Sequence, residues 1–290
     1  MQPILNVTDI PSERFAFRET LDALEQGAVL YLPLCSFPLA QGEHFLLSPD
    51  EQLSIAKNIS FNPQTNQIKG TSLTHKDARY ATLQQMMKRY LDQAKTLIHT
   101  YLPSYAPHLI TGRTSFRPTE IVNRKTSAKK DDKRLHVDAF AATPLQGKRI
   151  LRVFCNIHPV DQPRVWQLGE PFEAVANRFM ATVPPYRSYI AHFLHALKLT
   201  KTYRTAYDHT MLHIHDNMKK NKAYQAEVNK TTVQFPPGST WITYTDITSH
   251  AALSGQFLLE QTFYLLPEKM QNPAYSPLNI LQRLSAKALL

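Results

Sequence analysis

What most limits the fold of this chain is a change of texture near residue 110. From there on, short apolar or alternating runs of strand length follow one another between turn signals, at residues 109–117, 134–140, 149–157, 165–168, 231–235, 240–245 and 256–266. A helical stretch of about 171–228 interrupts the series after the fourth run. Pro236-Pro237-Gly238-Ser239 and Ser254-Gly255 supply turns. Many short strands flanked by helices predict a β-sandwich or barrel of the jelly-roll kind, with helices packed outside it.

The first part of the chain, about 1–108, reads as mainly helical. Ser12 is placed to cap a helix whose apolar positions include Leu21 and Leu24 and which Gly27 closes. Residues 28–33 read as a strand, and Ser48-Pro49-Asp50-Glu51 as a capped helix start with proline at the first helical position. A longer helix is predicted over 81–102, where Leu83, Met86, Met87, Tyr90, Leu91 and Leu97 recur at helical spacing. That stripe is a packing face rather than a cofactor contact. An amphipathic helix over about 277–290 either packs on the barrel or rests on a membrane. No break in composition divides the chain, so one domain over 1–290 is expected, with a strand-rich core over about 109–266.

Composition excludes several classes. No apolar run approaches the ~18 residues that a spanning helix needs. The opening MQPILNVTDIPSERF lacks the layout of a secretory signal, which points to the cytoplasm. Cys35 and Cys155 each sit in an apolar stretch and read as reduced thiols, not as a disulfide framework. The net charge of +10 favours anionic partners. Arg124, Lys125, Lys129, Lys130, Lys133 and Arg134 crowd before residue 136, and Lys219, Lys220, Lys222 and Lys230 form a second group. Each group reads as a solvated face, and the first, which adjoins the metal-capable run His136-Val137-Asp138, also as a guide for an anionic substrate.

The chemistry is concentrated in His136 and Asp138, within Leu135-His136-Val137-Asp138-Ala139-Phe140, and in His250. Alternate residues of a strand point the same way, so His136 and Asp138 project together while Val137 packs behind them. His250 follows the aromatic run Trp241-Ile242-Thr243-Tyr244 and can reach the same point from another strand. Two histidines and one carboxylate are the ligand set that holds Fe(II) while leaving positions open for a co-substrate and O2. The rival group His213-Ile214-His215-Asp216 reads as helix; His209 and His213 share a face there, but residue 210 is threonine where a His-Glu-x-x-His zinc motif needs glutamate. His192 and His195 also share a helical face and read as packing, solvent-facing or substrate-contacting residues.

An iron so held commonly takes a bidentate 2-oxo acid, whose far carboxylate needs a cation, best an arginine. The strand after His250 reads Glu260-Gln261-Thr262 and carries no such base. Arg152 is the first candidate, because a charge inside so apolar a strand demands a partner. Arg117 and Arg164 are the others, with structural ion pairs as the alternative for any of them. Gln261 can add a hydrogen bond, and Trp166 an indole N–H and an apolar wall.

Together these segments resemble the Kdo hydroxylases. The likeness runs through Leu135 to Phe140, Leu151-Arg152-Val153-Phe154-Cys155-Asn156-Ile157-His158-Pro159, and Arg164-Val165-Trp166-Gln167-Leu168-Gly169-Glu170-Pro171-Phe172-Glu173. It continues through Tyr207-Asp208-His209, Leu212 to Asp216, Pro237 to His250, and Gln261-Thr262-Phe263, so it covers nearly the whole chain. The resemblance implies an α+β fold with a double-stranded β-helix (jelly-roll, cupin-like) core. It implies an Fe(II)/2-oxoglutarate-dependent dioxygenase that hydroxylates C3 of 3-deoxy-D-manno-oct-2-ulosonic acid (Kdo) in Kdo2-lipid A of lipopolysaccharide, giving D-glycero-D-talo-oct-2-ulosonic acid (Ko), succinate and CO2. His136, Asp138 and His250 match the iron ligands, and Arg117, Arg152, Arg164, Trp166 and Gln261 the region of the 2-oxoglutarate site. The expected partners are Kdo2-lipid A or another anionic lipopolysaccharide precursor, O2, ascorbate as an accompanying reductant and the anionic surface of the inner membrane, with no nucleic acid. The readings that stay open beside it are a dioxygenase for an amino-acid side chain or a nucleobase, and a non-catalytic basic module for nucleic acid or anionic membranes.

Overall fold

The computed structural model describes residues 3–9, 14–48, 53–122 and 127–290. Ser12, Pro49, Asp50 and Glu51, and with them the helix start expected at 48–51, lie outside the described residues, as do Arg124 and Lys125; residues 53–58 contain no helix. In chain order the strands are β1 (Ile4–Asn6), β2 (Val29–Leu32), β3 (Ile59–Asn62), β4 (Gln67–Lys69), β5 (Ile110–Arg117), β6 (Arg149–Asn156), β7 (Arg164–Pro171), β8 (Thr231–Phe235), β9 (Thr240–Tyr244), β10 (Thr248–Ser254) and β11 (Leu258–Leu265). The α-helices are α1 (Arg14–Glu25), α2 (Ala78–Tyr101), α3 (Phe172–Phe179), α4 (Ser188–Ala196), α5 (Ala206–Lys220), α6 (Lys222–Glu227) and α7 (Pro277–Ser285).

An eight-stranded sheet, ordered β1-β2-β9-β6-β11-β5-β3-β4, faces a three-stranded sheet, β10-β7-β8. Phe154 and Trp241 from the first meet Trp166 and Phe235 from the second in one aromatic core. The result is a jelly-roll sandwich. Alternation along β6 builds its layers. Phe154 points between the sheets, while Leu151, Val153 and Cys155 point outward, where α2 covers them. Asp77 caps α2 through the Arg79 amide, and Tyr90, midway along the helix, donates from its hydroxyl to the Val153 carbonyl at 3.0 Å. The first part of the chain is less helical than its sequence suggests: β1, β2, β3 and β4 extend the large sheet at both ends.

The insertion between β7 and β8 is helical, as expected. Phe172, Val175, Ala176 and Phe179 of α3 share one core with Met211, Ile214 and Met218 of α5. Leu278, Ile280 and Leu281 of α7 join them, so the apolar side of the C-terminal helix is spent on the protein body and is not offered to a membrane.

One predicted strand departs from expectation. Residues 134–140 form no ladder; only His136 pairs, antiparallel to His250 of β10, with reciprocal amide-to-carbonyl bonds of 3.0 and 2.9 Å. The other edge of the segment meets a side chain in place of a strand. Gln225 of α6 accepts from the Leu135 amide at 2.9 Å and donates to its carbonyl at 3.0 Å. Three residues on, the Asp138 amide donates across to the Thr245 carbonyl at 2.8 Å, just past the end of β9. Gly169 lets β7 approach this crossing, since a Cβ there would stand 2.7 Å from the Ser249 hydroxyl and 3.1 Å from Leu135.

Candidate metal centre

His136 and Asp138 point to one side of their extended segment, and His250 reaches the same point from β10. One ligand atom from each lies within 4.8 Å of the others, the sole such group of three among the described residues. The backbone fixes both imidazoles. His136 Nδ1 lies 2.8 Å from the Arg134 carbonyl and His250 Nδ1 2.8 Å from the Thr248 carbonyl. A carbonyl only accepts, so each Nδ1 carries the proton and each Nε2 presents a lone pair. Trp166 stacks on His250 at 5.0 Å between ring centroids. Burial, reinforced by His250 and Lys219, holds His136 well below the usual imidazole pKa. Burial likewise lowers His250, although Asp138 pulls the other way. Both rings are thus in the neutral form that binds metal.

The carboxylate is oriented as well. Burial alone would raise Asp138, but Arg152, with the two histidines and Thr245 behind it, holds the carboxyl well below the ordinary range. Arg152 Nη2 sits 3.1 Å from Asp138 Oδ2, while Oδ1 lies on the side of His136, 3.9 Å from its Nε2. One oxygen is therefore held by the guanidinium and the other is left for an ion. Two histidine nitrogens and one carboxylate oxygen fit Fe(II) by number, donor type and protonation state.

A cavity of about 130 Å³ opens beside these ligands, lined by Arg117, Arg152, Arg164, Phe154, Trp166 and Leu258, among others. The three arginines named in the sequence therefore meet, as does Trp166, whose indole nitrogen is buried without a partner. They are not equivalent. Arg152 is engaged twice, with Asp138 and with Glu260 Oε1 at 2.9 Å. Arg117 holds Glu260 Oε2 at 2.6 Å. Arg164 forms no ion pair among the described residues: its Nη1 donates to the Gly255 carbonyl at 2.8 Å, and its buried Nε has no partner. Burial and the nearby charge of Arg117 pull its pKa down to about 9. The first choice from sequence, Arg152, is thus already taken by protein carboxylates, and Arg164 is the buried cation lacking one.

Gln261 does not join the site. Its side chain accepts from the Thr114 hydroxyl at 2.6 Å and donates to the Thr262 carbonyl, on the face of β11 opposite Glu260. Glu260 and Lys57 belong to the site region and were not singled out in the sequence. Glu260 sits opposite Phe154 on β6 and Ser115 on β5, so Arg152 and Arg117 reach it diagonally from either side. A buried acid in a strand beside two arginine-bearing strands was the available signal. Lys57 pairs with Asp132, itself near Arg117, and had no signal beyond its charge. The rival histidines are accounted for by packing. His209 Nε2 contacts the Pro184 carbonyl at 2.8 Å and its ring packs on His213, while His215 pairs with Asp216 at 3.1 Å.

A family model described as 3-deoxy-D-manno-oct-2-ulosonic acid (Kdo) hydroxylase matches residues 11–288. The chain belongs to the Kdo hydroxylase family. Among solved structures it is similar to the Kdo hydroxylase KdoO, a non-heme Fe(II) α-ketoglutarate-dependent dioxygenase, in complex with cobalt(II), at 41% identity and a TM-score of 0.94 over 99% of this chain and 97% of that one. KdoO with α-ketoglutarate and Fe(III) gives 40% identity and a TM-score of 0.93 over 100% and 98% of the two chains. KdoO with succinate and Fe(III) gives 39% and 0.93 over 99% and 97%. No curated protein matches the sequence. The jelly roll and the His-Asp-His group are therefore found in a chain of the family to which the sequence motifs pointed.

Proposed function

We propose that the chain is an Fe(II)- and 2-oxoglutarate-dependent dioxygenase, working as one domain, that hydroxylates C3 of Kdo in Kdo2-lipid A to give Ko. The observation that carries this reading is a complete 2-His-1-carboxylate group beside a cavity holding an arginine that has no carboxylate among the described residues. In this reading His136, Asp138 and His250 hold the iron. Arg164 takes the far carboxylate of 2-oxoglutarate, Arg117 adds positive potential, and the Trp166 indole N–H supplies a further donor. Arg152 is a positioning residue that fixes which Asp138 oxygen faces the metal.

Iron(II), 2-oxoglutarate and O2 together supply the oxidation: one oxygen atom goes into the C–H bond of the sugar as hydroxyl, the other into succinate, and CO2 leaves. The chain contributes position and exclusion of water. The aromatic core from Phe154 to Trp241 seals the inner side of the cavity. A second cavity, about 410 Å³ and lined by Asn62, Arg113, Thr143, Lys201, Thr262 and Tyr264, shares Phe140 and Arg152 with the metal cavity. Arg113 there donates to the Ser60 hydroxyl at 3.2 Å and forms no ion pair among the described residues. Polar groups, an aromatic ring and unneutralised cations suit a sugar acid held with its ring toward the metal. The free thiols of Cys35 and Cys155 suit the cytoplasm, where the lipid-borne substrate would be met at the inner membrane.

The test is succinate release from 2-oxoglutarate by the iron-loaded enzyme, with and without Kdo2-lipid A, alongside mass spectrometry of the lipid. Substrate-stimulated succinate and a lipid heavier by one oxygen are expected. Turnover that ignores the lipid would overturn the substrate, and turnover surviving in His136→Ala would overturn the iron assignment.

A further inference from the structure

Helix α4 is built the wrong way round for a helix on a globular surface. Tyr189, Ile190, Phe193 and Leu197, at i, i+1, i+4 and i+8, fall within one arc of about 100°. That arc faces outward: Tyr189 is 63%, Phe193 62%, Leu197 53% and the following Leu199 58% exposed. The helix leans on the body through Ala191, which is buried, and Leu194, which is half-buried. Single exposed apolar residues are ordinary, but a contiguous set of this size marks a contact surface.

The charge around it is one-sided. Between Glu173 and Asp208 the sequence has no aspartate or glutamate but five cations, Arg178, Arg187, Lys198, Lys201 and Arg204. Arg187 and Lys198 flank the apolar arc at the two ends of the helix, and both are exposed. Lys201, just beyond, also lines the 410 Å³ cavity beside the metal site. A second copy of the chain is a poor occupant, since a two-fold pairing would set these cations against themselves. Apolar residues bracketed by cations without acids match the headgroup region of an anionic bilayer.

We propose that α4 and the segment through Lys201 form the face by which the enzyme rests on an anionic membrane, with Tyr189, Phe193, Leu197 and Leu199 entering the headgroup layer. This rests on the function proposed above only in what the membrane would carry: a lipid-borne sugar acid delivered at the mouth of the Lys201 cavity. The C-terminal helix, whose apolar side is buried, has no part in it.

The experiment is co-sedimentation of the full-length, metal-loaded enzyme with two kinds of vesicle, phosphatidylcholine alone and phosphatidylcholine with phosphatidylglycerol in equal parts. Binding to the anionic vesicles only, weakened by salt, is expected. The Phe193→Ser/Leu197→Ser variant should lose at least about tenfold in partitioning, and Lys198→Gln about fivefold, with unchanged circular dichroism. The double variant should keep its turnover of a soluble, deacylated Kdo oligosaccharide while losing turnover of vesicle-embedded lipid. Partitioning equal to that of the parent overturns the proposal. So does a parent that light scattering shows to be a dimer through this face, with no vesicle binding. Vesicle binding is read without turnover, so a parent that binds vesicles yet hydroxylates nothing breaks the proposed function and leaves the membrane face standing.

Discussion

Two buried arginines in this molecule live under opposite regimes. Arg149, at the start of β6, is fully enclosed. Its Nε donates to Asp246 at 2.7 Å and its guanidinium lies 4.0 Å above the Tyr244 ring. Burial disfavours its charge, but Asp246, with Tyr244 and Tyr207 behind it, outweighs burial, and its pKa lies above the usual arginine value. Arg164, on β7 across the sandwich, is as deeply buried, yet it has one carbonyl and no carboxylate, and its pKa is pulled down. A buried cation with its acid in place belongs to the architecture. A buried cation without one is a cost that the fold bears until an anion arrives.

The contrast can be broken in several ways, from the largest effect downward. Asp138→Ala should reduce 2-oxoglutarate turnover to background, because it removes a metal-facing oxygen and frees Arg152; tight cobalt(II) binding, followed by its visible absorption, should vanish with it. Arg149→Met should leave the Asp246 carboxyl buried without its cation, costing about 3–5 kcal/mol in a denaturant titration. Arg164→Met should do the reverse, leaving stability unchanged or raised while the KM for 2-oxoglutarate climbs about 10- to 100-fold. If Arg164→Met instead unfolds the protein and spares KM, the distinction between the two arginines fails. Arg152→Met should weaken cobalt(II) binding about 10- to 100-fold, with Arg152→Lys restoring part of it.

The smallest effect belongs to a pair that joins an exposed lysine to a buried aspartate. Lys129 is half-exposed and bridges to Asp216. Partial burial raises Asp216, but hydrogen bonds from His215 and Lys129 overcome it and hold the carboxyl at about 2 against 3.8. A depressed carboxyl stabilises the fold above its unfolded pKa, and that stability is lost as pH falls from about 4 through 2. Asp216→Asn should therefore flatten the acid limb of the stability profile over that interval and lower stability at neutral pH by the same amount, roughly 0–1 kcal/mol because solvent screens the exposed Lys129 end of the pair.

Much of the site was legible because it depends on local parity. His136, Val137 and Asp138 alternate, and the two ligands share a side even though no ladder forms around them. Alternation along a chain cannot reveal whether a second strand is present, which is why 134–140 read as a strand. β10 went unseen because Thr248-Ser249-His250-Ala251-Ala252 is small and polar; it is a strand through pairing with β7, not through composition. β3 and β4 are four and three residues long, too short for periodicity to register. The choice among Arg117, Arg152 and Arg164 was not available from the sequence, since all three sit in similar strands. Partnership depends on register, and register places Glu260 between two of them. Register also decides that Glu260 and not Gln261 faces the 410 Å³ cavity, because neighbours in a strand cannot both do so.

The amide of Gln225 has a consequence for how such proteins diversify. It completes the hydrogen bonding of Leu135, next to His136 of the proposed metal centre, from a helix some ninety residues further along the chain. An insertion between two strands is ordinarily the freest part of a sandwich to exchange or shorten. Here it is not an ornament. A chimera that transplants residues 134–138 without α6, or α6 without residues 134–138, would carry half of a joint, so the two must travel between relatives as a single unit of inheritance.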